Sequence, residues 1–117
     1  MPLRVTNTTR GTILADRAQE ATSFRTRLVG LMGRKELPFG QGLWIQPCNS
    51  IHTFFMRIPI DALFLGADHT VIRIFPALPP WRATGLYFGV RSVLELPAGT
   101  AAASQTREGD HLAFDGG

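Results

Sequence analysis

A chain of 117 residues is long enough for one hydrophobic core and too short for two, and a domain of this size buries roughly two-thirds of the surface its unfolded chain exposes. Its 44% hydrophobic and 18% charged residues argue against disorder, and a single cysteine, Cys48, excludes an internal disulfide and any multi-cysteine zinc or iron–sulfur site. The formal charge of +3 rests on eleven arginines and one lysine scattered from Arg4 to Arg107; without an interleaved aromatic platform, this reads as a solvated surface rather than a nucleic-acid face.

Leu3 and Val5 stand on one side of Asn7-Thr8-Thr9-Arg10-Gly11 and Ile13-Leu14 on the other. A polar stretch ending in glycine between two apolar pairs predicts a hairpin. The start of the chain carries neither the apolar stretch nor the cleavage site of a secretory signal, and no apolar run reaches the roughly 20 residues of a membrane span, so a cytoplasmic location without a membrane span is expected. A third extended piece is predicted around Arg17 to Ala21. The period then changes: Phe24, Leu28, Leu31 and Met32 align on one helical face. Ser23 is placed to cap the first free amides and Gly33 to end the helix, giving one flanking helix over about residues 24–32.

Short strands are predicted over Gly42 to Ile45, Thr53 to Arg57, Asp61 to Leu65, Val71 to Phe75, Ser92 to Leu96 and His111 to Phe114. Gly66-Ala67-Asp68-His69 and Glu108-Gly109-Asp110 read as turns, and Thr100 to Gln105 as one helical turn. Pro79-Pro80, Trp81, Arg82, Tyr87 and Phe88 mark a long ordered loop between Pro76 and Gly89. The pattern is that of a mainly β chain: a compact antiparallel sandwich-like domain occupying residues 1–117.

The most informative stretch runs from Pro47 to Leu65, where Cys48, His52, Arg57 and Asp61 interrupt an apolar run. Polar groups there are costly unless paired. Cys48 and His52 are four apart: neighbours in a helical turn, but about 13 Å apart along a strand. A helical turn would allow a histidine-activated cysteine nucleophile, with Asn49 or Asp61 orienting the ring; the plainer reading is a small buried hydrophobe beside a hydrogen-bonded histidine. Asp61 shares its strand face with Leu63 and Leu65, so its carboxylate must accept backbone amides or meet Arg57, Arg73 or Arg82. A structural aspartate is the preferred reading, and a proton-holding catalytic carboxyl the other. Glu95, between Leu94 and Leu96, is expected to point outward while Ser92, Leu94 and Leu96 point inward. Trp81 and Arg82 suit the lip of a pocket. No histidine pair lies at ligand spacing and no phosphate-loop, dinucleotide or serine-elbow pattern occurs, so neither a metal nor a cofactor is expected.

Taken in order, Gly30-Leu31-Met32-Gly33-Arg34, Gly42-Leu43-Trp44-Ile45, Ser50-Ile51-His52-Thr53-Phe54-Phe55-Met56, Ile58-Pro59-Ile60-Asp61-Ala62-Leu63-Phe64-Leu65, Val93-Leu94-Glu95-Leu96-Pro97-Ala98-Gly99 and Gly109-Asp110 resemble the bacterial and archaeal domain of unknown function 192 family. The resemblance runs from about Leu14 to Phe114. It implies a compact, mostly β domain of sandwich or jelly-roll type with one flanking helix, and brings no reaction, cofactor or substrate. Phe55-Met56 and Pro59-Ile60-Asp61 fall on the most recurrent steps of the family pattern, whereas Cys48 and His52 are typical of a subgroup.

These observations lead to an expectation of a non-enzymatic domain that binds a small molecule or a protein in a depression near residues 48–61, lined by His52, Phe55, Met56, Asp61, Trp81 and Arg82. The alternatives are a hydrolase-like enzyme using Cys48 or Asp61 with His52, and an accessory module for nucleic acid or an acidic partner.

Overall fold

In the computed structural model, residues 2–23, 26–27 and 30–116 are described. Seven strands follow one another along the chain: β1 (Leu3–Asn7), β2 (Thr12–Ala21), β3 (Gly40–Ile45), β4 (Ile60–Leu65), β5 (Val71–Leu78), β6 (Ser92–Pro97) and β7 (Leu112–Gly116). A four-residue helix, α1 (Thr100–Ala103), lies between the last two. All seven strands belong to one sheet, in the order β5-β4-β6-β3-β2-β1-β7.

The fold is mainly β, as expected, with the sandwich made by one sheet curling on itself. The two edge strands meet at a corner: the Val71 amide donates to the Asp110 carbonyl at 2.8 Å and the Leu112 amide to the His69 carbonyl at 3.1 Å. Thr70 and His111 form an isolated antiparallel bridge there. Inside the curl lie Val5, Leu14, Ala18, Trp44, Leu63, Leu65, Leu94 and Leu96, contributed by alternate residues of five strands.

Three expectations are corrected. The sheet is not wholly antiparallel, because β2 pairs parallel with β3; such a pairing needs a crossover, which the segment 22–39 provides. The two extended pieces predicted around Ile13 and Arg17 are one continuous strand, β2, whose pairing with β1 shifts register between Leu3 and Thr6. Residues 53–57 do not form a strand. Thr53 is held on all sides by the Pro79–Arg82 turn: its amide donates to the Arg82 carbonyl at 2.7 Å, its hydroxyl to the Pro79 carbonyl at 2.7 Å, and its carbonyl accepts the Trp81 amide at 3.0 Å. The chain then reverses, with the Met56 amide returning to the Thr53 carbonyl.

The helix expected over residues 24–32 falls partly outside the described residues. Its two predicted ends are described. The Ser23 hydroxyl accepts the Thr26 amide at 3.1 Å, as a capping side chain does, and Gly33 has a left-handed backbone with φ 77. Between them the Gly30 amide donates to the Thr26 carbonyl at 2.9 Å.

The outer face of β4 and β6 is also covered. The loops 46–53 and 82–91 run alongside one another as an irregular ribbon, tied by Cys48 to Arg91, Asn49 to Tyr87, Ile51 to Thr84 and Thr53 to Arg82. Beneath this roof Ile51, Met56, Ile60, Ala62, Phe64, Val90 and Val93 form a second core. Every residue of β4 and β6 is therefore buried.

Candidate functional site

Between the roof ribbon and the sheet lies a cavity of about 290 Å³. Ile45 and Glu95 of the sheet, the 47–52 arm of the ribbon, Met56, and the segment of Arg27 and Gly30–Met32 line it. Two bonds hold the last segment against the ribbon. Arg27 Nη1 donates to the Pro47 carbonyl at 3.0 Å, and the Gly33 amide to the Phe55 carbonyl at 2.9 Å.

Glu95 is the chemically unusual member. Strand alternation points it away from the inner core, as expected, but that face is roofed, and the residue is only 3% exposed. Its register partners are Ala62 on β4 and Leu43 on β3, both apolar. Among the described residues its Oε1 has no hydrogen-bond partner. Burial pushes its pKa up to about 8, so the side chain is largely a neutral acid at pH 7. A usable signal was present in the sequence: a strand apolar on both faces is covered on both faces, and Val93-Leu94-Glu95-Leu96-Pro97 reads that way.

Cys48 and His52 share this cavity but are engaged separately. The intervening backbone is irregular rather than helical. The Cys48 thiol donates to the Ser50 carbonyl at 2.9 Å, and His52 Nδ1 accepts the Phe54 amide at 3.2 Å. Burial raises the thiol pKa, against the lowering effects of the Ser50 backbone hydrogen bond and the Arg27 charge. A thiol so placed is a poor nucleophile at neutral pH.

Asp61 lies on the opposite face of β4 from the cavity, alongside Leu63 and Leu65, and is 1% exposed. Its Oδ1 accepts the Ala77 amide at 2.8 Å; its Oδ2 accepts the amides of Gly99 at 3.1 Å and Ala101 at 2.9 Å. The carboxylate joins β4 to β5 and to the start of α1. The depression predicted from the sequence therefore divides: His52 and Met56 line the cavity, whereas Asp61, Phe55, Trp81 and Arg82 do not.

Phe55 and Trp81 instead form part of an exposed aromatic row that begins at His52. The His52 and Phe54 rings lie 5.1 Å apart, Phe54 and Trp81 6.0 Å, and Phe55 and Trp81 4.8 Å. Phe55 and Trp81 both have φ 64, a left-handed backbone that bulky side chains rarely adopt. Arg82 is exposed beside them, and its guanidinium reaches back to the Pro80 carbonyl at 3.5 Å. Among the described residues, no cluster of three histidine, cysteine or carboxylate side chains is arranged to hold a metal ion, and no helix is long and apolar enough to cross a membrane.

The comparisons with known proteins agree with this architecture. A UPF0127 protein from Pyrococcus furiosus is 31% identical over 112 residues, covering 93% of this chain and 96% of its own length. Another UPF0127 protein, from Pyrococcus horikoshii, is 34% identical over 95 residues, covering 79% of this chain and 82% of the relative. The crystal structure of a protein of unknown function from Novosphingobium aromaticivorans superposes with a TM-score of 0.82 at 26% identity, covering 97% of this chain and 84% of that one. The model of the family DUF192, described as "Uncharacterized ACR", matches residues 5–114, and the chain belongs to that family.

Proposed function

We propose that the protein is a small-molecule binding domain whose site is the cavity beneath the roof ribbon. One observation carries this reading: a cavity of about 290 Å³ has in its wall a buried carboxyl whose Oε1 has no partner among the described residues. A fold gains nothing from an unsatisfied buried polar atom, and a ligand that satisfies it removes the cost. Apolar walls with a few polar groups are the usual make-up of a ligand site. Leu31, Ile45, Ile51 and Met56 supply the first, and Glu95, His52, Cys48 and Arg27 the second. The aromatic row from His52 to Trp81 supplies an exposed surface on which the outer part of a ligand can rest.

A fragment library screened by amide-resolved NMR tests this reading. Fragments that bind are expected to move the resonances of Gly30, Cys48, His52 and Glu95 together and leave those of Asn7 and Asp110 in place. A library that moves none of the first group removes the proposal.

The hydrolase reading receives less support. The Cys48 thiol and the His52 ring each have their own backbone partner, and Asp61 is committed to three amides on the other face of β4. If Cys48 reacted with a thiol reagent as fast as an exposed cysteine, and slowed on His52→Ala, the enzymatic reading would replace the binding one.

A further inference from the structure

We propose that the cavity selects ligands carrying a cationic nitrogen, such as a primary ammonium, which pairs with the Glu95 carboxylate. The inference rests on the cavity being a binding site and names the chemistry that the site prefers.

Among the described residues, Glu95 stands in the cavity wall without a cation paired to it. Arg27, which also lines the cavity, directs its guanidinium to the Pro47 carbonyl at 3.0 Å and the Ser23 carbonyl at 3.4 Å. No lysine or arginine forms an ion pair with Glu95 among the described residues, and the strands on either side present Leu43 and Ala62. The titratable groups that share the cavity are the Cys48 thiol and the His52 ring, each engaged with backbone. What Glu95 lacks among the described residues is a paired positive charge bearing N–H donors. An ammonium supplies both, and in a largely apolar surround such a pair is stronger than it is in water. A ligand carboxylate placed there forms no ion pair with Glu95 and keeps that acid protonated, so the same geometry favours cations over anions. Gly30 leaves room for the approach: a Cβ at that position would already lie 3.8 Å from Oε1, and any longer side chain would extend toward it.

The proton balance follows. Below about pH 8 the free acid is neutral. On binding, the Glu95 carboxyl gives its proton to solvent and the resulting carboxylate pairs with the incoming ammonium, so one proton is released for each cation bound. As the pH rises through about 8 the release falls from one toward zero, passing one half near that value, and the cation binds more tightly.

Phenethylamine, phenethyl alcohol and phenylacetate, which carry the same ring and differ mainly in the polar end, test this on the full chain. At pH 7 the amine is expected to bind at least about tenfold more tightly than the alcohol, with phenylacetate weakest. Calorimetry in two buffers of different ionisation enthalpy should show close to one proton released per amine bound. Glu95→Gln should abolish the amine's advantage; should that variant not fold, the wild-type protein suffices, because its preference for amine over alcohol must rise between pH 6 and pH 8. Equal binding of amine and alcohol, or an amine preference that Glu95→Gln leaves unchanged, overturns the inference while leaving the cavity a binding site. Failure of all three probes and of the fragment library overturns both.

Discussion

The carboxylate of Asp61 accepts the backbone amide of Ala101 at 2.9 Å across forty positions of chain. The same oxygen takes the Gly99 amide, and the other takes the amide of Ala77, so one buried side chain holds three amides on two separate stretches of backbone. Gly99 has φ 96, which turns its amide and the following ones toward the carboxylate as the chain leaves β6 for α1.

Replacing Asp61 with asparagine puts an N–H where an amide donor already points and removes the charge that three donors share. Urea denaturation of Asp61→Asn is expected to show a loss of about 3 kcal/mol, the scale of buried hydrogen bonds to an ionised group left unmade. A loss within about 0.5 kcal/mol, the range of ordinary surface changes, would refute this role.

Glu95 should make stability fall as the solution becomes alkaline. Its folded pKa is raised to about 8 from an ordinary 4.5, so between these values the folded state holds a proton that the unfolded state has released. Stability from this group is complete below pH 4.5 and declines as pH rises to about 8, by about 1 kcal/mol per pH unit at most. Glu95→Gln should flatten that slope in denaturation curves taken from pH 5 to pH 9. An unchanged slope would mean that Glu95 is ionised in the fold.

Asp110 acts in the opposite direction. Although burial alone would raise its pKa, hydrogen bonds from Asn7, from Arg10 and from the Arg107 amide, with the Arg10 charge, hold it down to about 2. A depressed folded value gives stability that is present above pH 4 and lost as the pH falls toward 2. Asp110→Asn is expected to cost about 2 kcal/mol at pH 7. The gap from wild type should close in acid, and a gap that persists at pH 2 would contradict the argument.

Trp81 offers a test of backbone strain. Its φ of 64 suits glycine, and its side chain is more than half exposed. Trp81→Ala and Trp81→Gly lose the same ring contacts but differ in strain, so glycine should be the more stable of the two by about 1 kcal/mol in thermal or urea unfolding. An alanine variant equal to or more stable than the glycine one would show that the turn does not impose this conformation.

Much of the sheet was legible because its signals are local. Short apolar runs marked β4 and β6, a polar stretch ending in Gly11 marked the first hairpin, and Ser23 and Gly33 marked the two ends of the predicted helix. The sequence also limited Asp61 to a few outcomes: a charge beside Leu63 and Leu65 requires amides or a cation. Residues 53–57 misled because their apolar pattern reads as extended, while the Pro79–Arg82 turn that captures Thr53 lies some twenty-five positions further along.

The site itself required the tertiary structure. Glu95 had the right orientation by strand alternation, yet orientation does not decide exposure; the ribbon formed by loops 46–53 and 82–91 closes that face. By itself, the amino-acid sequence determined the strands, the turns and the need for Asp61 to be satisfied, because period, glycine placement and the cost of burying charge all act within a few residues. Only the tertiary structure decided the parallel pairing of β2 with β3, the choice of amides over arginines for Asp61, and the cavity around Glu95. Each depends on segments brought together from distant positions, and nothing local to either segment encodes its partner.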